Sequence, residues 1–240
     1  MKRVIIVGAT SGIGFETAKC FIADGWQVGV AGRRKEKLEV LQALCPENVF
    51  AETIDVTGND APEALKRLIN KLGGMDLFLL SSGIGKQNST LKPEIELNTV
   101  MTNGAGFVRM TTAAFNYFKQ NGGGHIAVIS SIAGTKGLGI APSYSATKRF
   151  QNHYIDSLAQ LAKMEKLNIK FTDIRPGFVA TDLLKDLNYP LLMNAEKVGR
   201  IIFRALKSRR RIVTIDWRYR VIVFFWRLIP RFIWERLPVR

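Results

Sequence analysis

The chain has 240 residues, 47% of them hydrophobic, which excludes an intrinsically disordered protein and favours one large domain with its own core. Lysine and arginine outnumber aspartate and glutamate by 35 to 20, and the net charge of +15 predicts an anionic partner: nucleotide phosphates, nucleic acid or lipid headgroups. The two cysteines show no metal-like spacing, so we expect a reduced cytoplasmic protein without a metal site.

The first motif is a short apolar run followed by three glycines and an amphipathic segment. Val4 to Val7 is typical of a buried strand, residues 8–14 of a glycine turn, and Phe15 to Ala23 of a helix. Glycines let the backbone approach a pyrophosphate closely, and a helix N-terminus supplies N–H groups and a positive dipole end. The candidate cofactor-binding residues here are Gly8, Thr10, Ser11, Gly12, Ile13 and Gly14. The alternative is a turn that only tightens the packing of strand on helix.

Two arginines follow the second predicted strand, which runs from Trp26 to Ala31. In doubly wound dinucleotide folds, an acidic residue at this distance from the glycine turn binds the ribose 2′-hydroxyl, whereas arginine accommodates a 2′-phosphate. Here Gly32 is followed by Arg33 and Arg34, whose guanidinium groups suit a phosphomonoester. The sequence therefore favours NADP(H) over NAD(H). The alternative is that both arginines simply begin the next helix, where cations are unfavourable.

The rest of the chain alternates predicted strands with predicted helices. Further strands are predicted over residues 48–54, 76–80, 125–130 and 169–174, and helices over 35–44, 61–72, 93–118, 143–166 and 195–207. Asn194 is expected to cap the last of these helices. This alternation predicts an α/β fold, a doubly wound (Rossmann) parallel sheet of about seven strands with helices on both faces.

A tyrosine and a lysine lie four residues apart at the start of the helix predicted over 143–166. Tyr144 and Lys148 therefore share one helix face, and a nearby ammonium favours the phenolate by roughly one to three pKa units. Ser131 follows a strand at the carboxyl edge of the sheet, where ligands bind in such folds, and its hydroxyl could reach the same substrate oxygen. The alternative is an ordinary surface pair, although no other tyrosine has a lysine four residues on.

In this order and spacing, the motifs resemble the short-chain dehydrogenase/reductase family over residues 2 to about 206. The resemblance implies that Ser131, Tyr144 and Lys148 are catalytic and that Asn103 orders a water in the proton path to the lysine. It also implies adenine contact by Asp55 and a Pro-Gly loop over the nicotinamide carboxamide. The cofactor residues implied in this way are Asp55, Val56, Ser82, Gly83, Pro176, Gly177, Val179 and Thr181, together with Tyr144 and Lys148.

Two further features follow from the resemblance. A leucine-rich stretch, residues 182–194, corresponds to the variable substrate lid, and the long helices at 93–118 and 143–166 commonly form an interface, which implies a homodimer or homotetramer. One position departs from the family pattern, because Ser81 stands where an asparagine usually braces the sheet.

The C-terminal tail, residues 207–240, differs in composition from the catalytic domain predicted over residues 1–206. Ten basic residues against two acidic ones give the tail +8 of the total +15, and it holds three of the four tryptophans. Its apolar run is too short to span a bilayer, but arginine interleaved with aromatic residues is typical of helices in the membrane interface. We expect one or two short helices over 217–236, broken at Pro230, on an anionic membrane surface. The alternative is that the same aromatic residues pack on the lid or on a neighbouring subunit.

These observations predict an NADPH-dependent reductase of a ketone group, or the reverse alcohol oxidation. The leucine-rich lid and the tail favour a lipophilic substrate such as a 3-keto-sphingoid, 3-oxoacyl, sterol or polyprenyl-linked keto-sugar compound. A cytoplasmic protein attached peripherally to the cytoplasmic face of a membrane is expected. One alternative is a nucleotide-binding regulatory protein without turnover; a nucleic-acid binder is disfavoured because no groove-reading motif accompanies the basic tail.

Overall fold

The computed structural model describes residues 2–184 and 189–239 and has a parallel, seven-stranded sheet at its centre. The strand order is β3-β2-β1-β4-β5-β6-β9, so the chain winds outward in both directions from β1. The strands are β1 Arg3–Val7, β2 Gln27–Gly32, β3 Val49–Thr53, β4 Leu77–Leu80, β5 Gly124–Ile129, β6 Ile169–Arg175 and β9 Ile212–Thr214. A separate parallel pair joins β7 Val179–Ala180 to β8 Met193–Asn194. The predicted doubly wound fold is confirmed.

Helices cover both faces of the sheet, which explains why its strands are continuous apolar runs rather than alternating ones. Phe21 and Ile202 belong to the core on one face, and Phe78 and Phe118 belong to the core on the other. The helices are α1 Gly12–Ala23, α2 Lys35–Gln42, α3 Ala61–Leu72, α4 Pro93–Val100, α5 Phe107–Gln120, α6 Pro142–Met164, α7 Ala195–Lys207, α8 Trp217–Leu228 and α9 Arg231–Trp234. The predicted cap of α7 is confirmed, since the Asn194 side chain accepts hydrogen bonds from Glu196 and Lys197 N–H groups.

The helix predicted over 93–118 is interrupted. Residues 101–106 form a π-helical segment between α4 and α5, and Asn103 is buried within it. A π-helical turn changes the hydrogen-bonding pattern of the backbone and is often found at functional sites. The 3.6-residue periodicity of the sequence does not reveal this change of winding, because the flanking turns keep the pattern.

The C-terminal tail divides into an inner and an outer face. Residues 212–214 form the seventh strand, and the break at Pro230 occurs where it was predicted. On the inner side, Ile215, Tyr219 and Val223 are buried. On the outer side, large apolar side chains remain exposed; they are Trp217, Val221, Phe224, Phe225, Leu228, Phe232, Ile233 and Leu237. Within residues 2–184 and 189–239, no helix is long and apolar enough to cross a membrane.

Candidate active site

The glycine turn between β1 and α1 is lined by backbone. Gly8 has φ +94°, and a Cβ there would clash with the backbone of Ser82 after β4. A Cβ on Gly14 would clash with the carbonyl oxygen of Gly8. Ser11 begins α1 without a side-chain cap, so the first-turn N–H groups remain available to an anion. This backbone cradle at a helix N-terminus fits the pyrophosphate of a dinucleotide.

Arg34 lies across this turn. Its Nη2 donates to the hydroxyls of Thr10 at 3.0 Å and Ser11 at 2.6 Å, and its Nη1 lies 3.4 Å from a carboxylate oxygen of Asp182. Gly32 has to be small because a Cβ there would lie 2.6 Å from the Thr10 methyl group. The guanidinium is therefore held beside the glycine turn, where a 2′-phosphate could meet it.

Asp55 and Val56 follow β3 beside Arg33. The Asp55 carboxylate accepts hydrogen bonds from the Thr57 N–H at 3.0 Å and the Thr57 hydroxyl at 2.8 Å. The Thr57 N–H is the main cause of the lowered pKa of Asp55, and the charge of Arg33 lowers it further. Asp55 is thus an ionised acceptor at the edge of the sheet. Val56 is buried, and its carbonyl accepts from Arg109 at 2.9 Å.

The predicted catalytic residues converge at the carboxyl end of β5. Ser131 follows this strand and is buried, and Tyr144 and Lys148 lie in the first turns of α6. The Lys148 ammonium lies 5.7 Å from the centroid of the Tyr144 ring and donates to the Ile129 carbonyl at 2.9 Å. Gly85 packs under the tyrosine ring, since a Cβ there would lie 2.8 Å from it.

The acid–base properties of the pair differ from the sequence expectation. Burial raises the pKa of Tyr144, and a hydrogen bond with Ser131 only partly offsets this. Burial lowers the pKa of Lys148 to about 8, although the negative charge of Asp173 acts in the opposite direction. The pKa of Tyr144 is therefore raised overall rather than lowered as expected, since burial outweighs the hydrogen bond with Ser131 and the Lys148 ammonium hydrogen bonds to a backbone carbonyl and a glutamine side chain.

That glutamine, Gln151, was missed from the sequence. Its side-chain oxygen accepts from Lys148 Nζ at 3.1 Å, and its Nε2 donates to the backbone carbonyl of Asn103 at 2.9 Å. The Asn103 side chain is engaged elsewhere: it accepts from the Ile84 N–H at 2.9 Å and donates to the Ile84 carbonyl at 2.7 Å. Asn103 and Lys148 are therefore bridged by an amide. Its spacing, three residues after Lys148, puts Gln151 on the same helix face and could have indicated this role.

A buried polar cluster behind Ser131 was also missed. Asp173 on β6 is fully buried and pairs with Arg175 at 2.6 Å. Its carboxylate also accepts from the Asn152 side chain at 2.9 Å and from the Ser130 hydroxyl. A buried carboxylate needs such partners, and together they fix the end of β5 next to Ser131. The signal in the sequence is an aspartate near the end of a central strand of the predicted sheet, where both faces are covered by helices.

The Pro-Gly loop, which follows β6, contacts both the segment around Ser131 and the glycine turn. The Pro176 carbonyl accepts from the Ile132 N–H at 3.1 Å, next to Ser131. Thr181 packs on the glycine turn, since a Cβ on Gly12 would lie 2.8 Å from its methyl group. Val179 is buried in the short strand β7. The loop and the glycine turn thus lie together.

The lid predicted over 182–194 is described only in part, because residues 185–188 lie outside the described ranges. At its ends, Tyr189 stacks on Phe178 with ring centroids 4.4 Å apart, and Leu191 packs against the core. Leu183 is exposed. Apolar side chains therefore lie at both described ends of the lid, next to the Pro-Gly loop.

Comparisons with known proteins agree with this geometry. A family model described as short chain dehydrogenase matches residues 2–191. The chain belongs to the short-chain dehydrogenase/reductase family. An uncharacterized oxidoreductase of Mycobacterium tuberculosis is 27% identical over 96% of this chain and 95% of its own. Another uncharacterized oxidoreductase, from Listeria monocytogenes, is 33% identical over 78% of this chain and 77% of its own.

A solved structure of a reductase is also similar to this chain. A 3-ketoacyl-ACP reductase from Sinorhizobium meliloti superimposes with a TM-score of 0.79 at 26% identity, covering 92% of this chain and 99% of that one. As a member of the family, the protein is an oxidoreductase.

Proposed function

We propose that this short-chain oxidoreductase is an NADPH-dependent ketone reductase that can also oxidise the corresponding alcohol. The convergence of Ser131, Tyr144 and Lys148 at the end of β5, beside the glycine turn, carries the proposal. NADPH, when bound, supplies a hydride to the carbonyl carbon. Similarity to a 3-ketoacyl-ACP reductase supports a carbonyl substrate.

The chain's own residues handle the substrate oxygen. Tyr144 donates its proton to that oxygen as the carbonyl is reduced, and the Ser131 hydroxyl donates a hydrogen bond to it. The raised pKa of Tyr144 keeps the phenol protonated before reaction. Lys148 is the neighbouring cation that stabilises the phenolate afterwards, and Gln151 and Asn103 hold Lys148 in place.

NADP(H) is proposed over NAD(H) because of the arginines after β2. Arg34 is fixed beside the glycine turn, and Arg33 is exposed next to Asp55. Of the predicted cofactor residues, Gly8, Gly12 and Gly14 would hold the pyrophosphate, whereas the backbone of Ser82 and Gly83 closes the cradle from β4. Ile13 packs against the core below the turn.

A lipophilic substrate and peripheral membrane attachment are proposed together. The apolar residues at the ends of the lid support the first, and the exposed apolar outer face of α8 and α9 supports the second. Trp217 and Phe224 are 68% and 60% exposed, and arginines lie beside them. The inner face of the tail packs on the protein, so the proposed membrane contact involves the outer face alone.

Self-association through α4, α5 and α6 is also proposed, as a homodimer or homotetramer. Leu97 is 64% and Met164 is 73% exposed on these helices, which supports burial against another copy. Sedimentation equilibrium of the protein would measure the assembly, and a monomer at micromolar concentration would contradict it.

The proposed reaction is tested by following NADPH consumption with a panel of ketones of increasing chain length, in dispersed and in vesicle-bound form. We expect turnover with NADPH and a preference for long-chain ketones.

Tyr144→Phe should lower kcat at least a hundredfold and leave the Kd of NADPH within about twofold, because it removes only the transferable proton. NADPH binding without turnover of any ketone would favour the regulatory alternative, and a Phe variant retaining a tenth of the activity would refute Tyr144 as the acid.

A further inference from the structure

A cavity lies between the tail helix α8 and the edge strand β9, outside the catalytic site. Its volume is about 270 Å³, and it is lined by Arg175, Thr214, Arg220, Phe224 and Arg227, among others. Pockets that bury a whole drug-sized ligand are larger, roughly 300–1,000 Å³. The cavity therefore suits a small polar group better than a complete substrate.

The charge of this cavity is strongly positive. Arg175 is neutralised by Asp173, which occupies its Nε and Nη2 at 2.8 Å and 2.6 Å. Arg220 and Arg227 have no carboxylate within salt-bridge distance among residues 2–184 and 189–239; Arg220 makes only a weak contact of 3.4 Å with the Thr214 carbonyl. Two guanidinium groups thus line one cavity without a carboxylate partner among the described residues, and guanidinium groups are well suited to phosphate oxygens.

The apolar surroundings identify what carries the phosphate. Phe224 lies between the two arginines on α8 and lines the same cavity. It belongs to a stripe with helical spacing on the outer face, formed by Trp217, Val221, Phe224 and Leu228, which are 45–68% exposed. A free phosphate has no apolar part that could contact this stripe. A phospholipid, by contrast, presents its headgroup at the level of the arginines and its acyl chains at the level of the aromatic rings.

We propose that the cavity beside Arg220 and Arg227 binds the phosphate of an anionic phospholipid while the outer face of α8 enters the acyl region. This inference rests on the proposed membrane attachment and specifies which part of the lipid the protein recognises. The site also sets the orientation of the bound protein, because Thr214 and Arg175 end their strands at the carboxyl edge of the sheet, the edge that holds Ser131. The mouth of the catalytic site would then face the membrane.

The test is flotation of the full-length protein with vesicles of phosphatidylglycerol and phosphatidylcholine, against phosphatidylcholine alone, at 0.15 M ionic strength as a roughly physiological value. The test variant is Arg220→Gln/Arg227→Gln. The matched control is Arg209→Gln/Arg210→Gln, which removes the same charge from exposed positions just before β9, outside the cavity. Far-UV circular dichroism and thermal melting verify that both variants are folded.

We expect the cavity variant to lose roughly thirtyfold in vesicle partitioning, about fivefold per arginine, and the control to lose less than fivefold. Equal losses would overturn the site in favour of diffuse attraction while leaving membrane attachment intact. A wild-type protein that does not float at all would refute the attachment itself and the site with it. Binding of inorganic phosphate or glycerol phosphate at micromolar concentration without vesicles would reassign the cavity to a soluble anion, and a Phe224→Ser variant that floats normally would refute insertion of the stripe.

Discussion

The hydroxyl of Tyr219 on the tail helix accepts a hydrogen bond from the backbone N–H of Phe178 in the Pro-Gly loop, at 3.1 Å. The same hydroxyl lies 3.2 Å from the Pro190 and Leu191 carbonyl oxygens, to which it can donate. The ring covers Gly177 so closely that any Cβ there would clash with it. One tail residue therefore contacts both the Pro-Gly loop and the segment at the end of the predicted lid.

Tyr219→Phe should remove the hydrogen bond that anchors the Pro-Gly loop while keeping the aromatic ring that covers Gly177. It leaves a part-buried N–H without its acceptor, which costs about 1 kcal/mol in the free energy of unfolding, measured by urea denaturation. The KM for NADPH should rise several-fold, because the loop loses its anchor. Trp217→Phe, an exposed change on the same helix, is the control and should alter neither value. If Tyr219→Phe raises the KM no more than this control, the hydroxyl does not position the loop.

Arg33 and Arg34 should set the cofactor preference. Removing both with alanine is expected to weaken NADPH binding far more than NADH binding, by at least about 1.5 kcal/mol for each charge-assisted hydrogen bond to the 2′-phosphate that is removed. Titration of each cofactor by fluorescence measures this. Equal weakening for the two cofactors would mean that the arginines only support the fold.

The structure separates the roles of the two arginines. Arg33→Ala should affect NADPH alone, whereas Arg34→Ala should weaken both cofactors because Arg34 also holds Thr10 and Ser11 in the glycine turn. Lys35→Ala removes the same charge from a neighbouring residue whose partner is Glu39, and it should change neither affinity.

His125 should make the fold sensitive to acid. The side chain is buried on β5, its Nε2 lies 2.8 Å from the Thr172 hydroxyl, and burial lowers its pKa from 6.5 to about 4. The unfolded chain then binds a proton between pH 6.5 and 4 that the folded chain does not, so stability falls as pH falls through this range. At 1.36 kcal/mol per pKa unit the loss reaches about 3 kcal/mol.

Denaturant unfolding at pH 7, 5.5 and 4 would measure this dependence. His125→Asn should reduce the slope between pH 6.5 and 4, whereas the exposed His153→Asn on α6 should keep it. An unchanged slope in His125→Asn would assign the acid sensitivity to other groups.

Truncation should distinguish the inner from the outer face of the tail. Ending the chain after Arg211 removes β9 and the buried residues Val213, Ile215, Tyr219 and Val223. At about 1.5–3 kcal/mol for each buried side chain, the loss is comparable with the whole stability of a domain, about 5–15 kcal/mol, so we expect aggregation or unfolding.

The matched truncation after Ile229 keeps β9 and α8. It removes α9, whose Trp234 indole donates to the Gly137 carbonyl at 2.7 Å. We expect this protein to remain folded, with a modestly lower Tm. Thermal denaturation and size-exclusion chromatography compare the two, and a stable, monodisperse chain ending at Arg211 would contradict the packing of the inner face.

The sequence by itself determined the features that depend on local pattern. The apolar runs predict β1 to β6 within one residue, and α3 begins and ends where its pattern does, whereas β7, β8 and β9 were not predicted. The Gly8 to Gly14 turn, Arg33 with Arg34, and the order of Ser131, Tyr144 and Lys148 identify the short-chain dehydrogenase/reductase family, because each depends on residue type at a fixed spacing along the chain. The helical tail and its break at Pro230 are local as well.

The tertiary structure decided the features that depend on which distant segments meet. Gln151 reaches the carbonyl of Asn103 only because α6 packs beside the π-helical segment, and Asp173 accepts from the Ser130 hydroxyl only because β5 and β6 are neighbours. The pKa of Tyr144 is raised rather than lowered because burial outweighs the hydrogen bond with Ser131, while the nearby ammonium hydrogen bonds elsewhere. The tail has a buried and an exposed face for the same reason. Its composition predicts amphipathic helices, but the contact of Tyr219 with Gly177, made across more than forty residues, determines which side faces the protein.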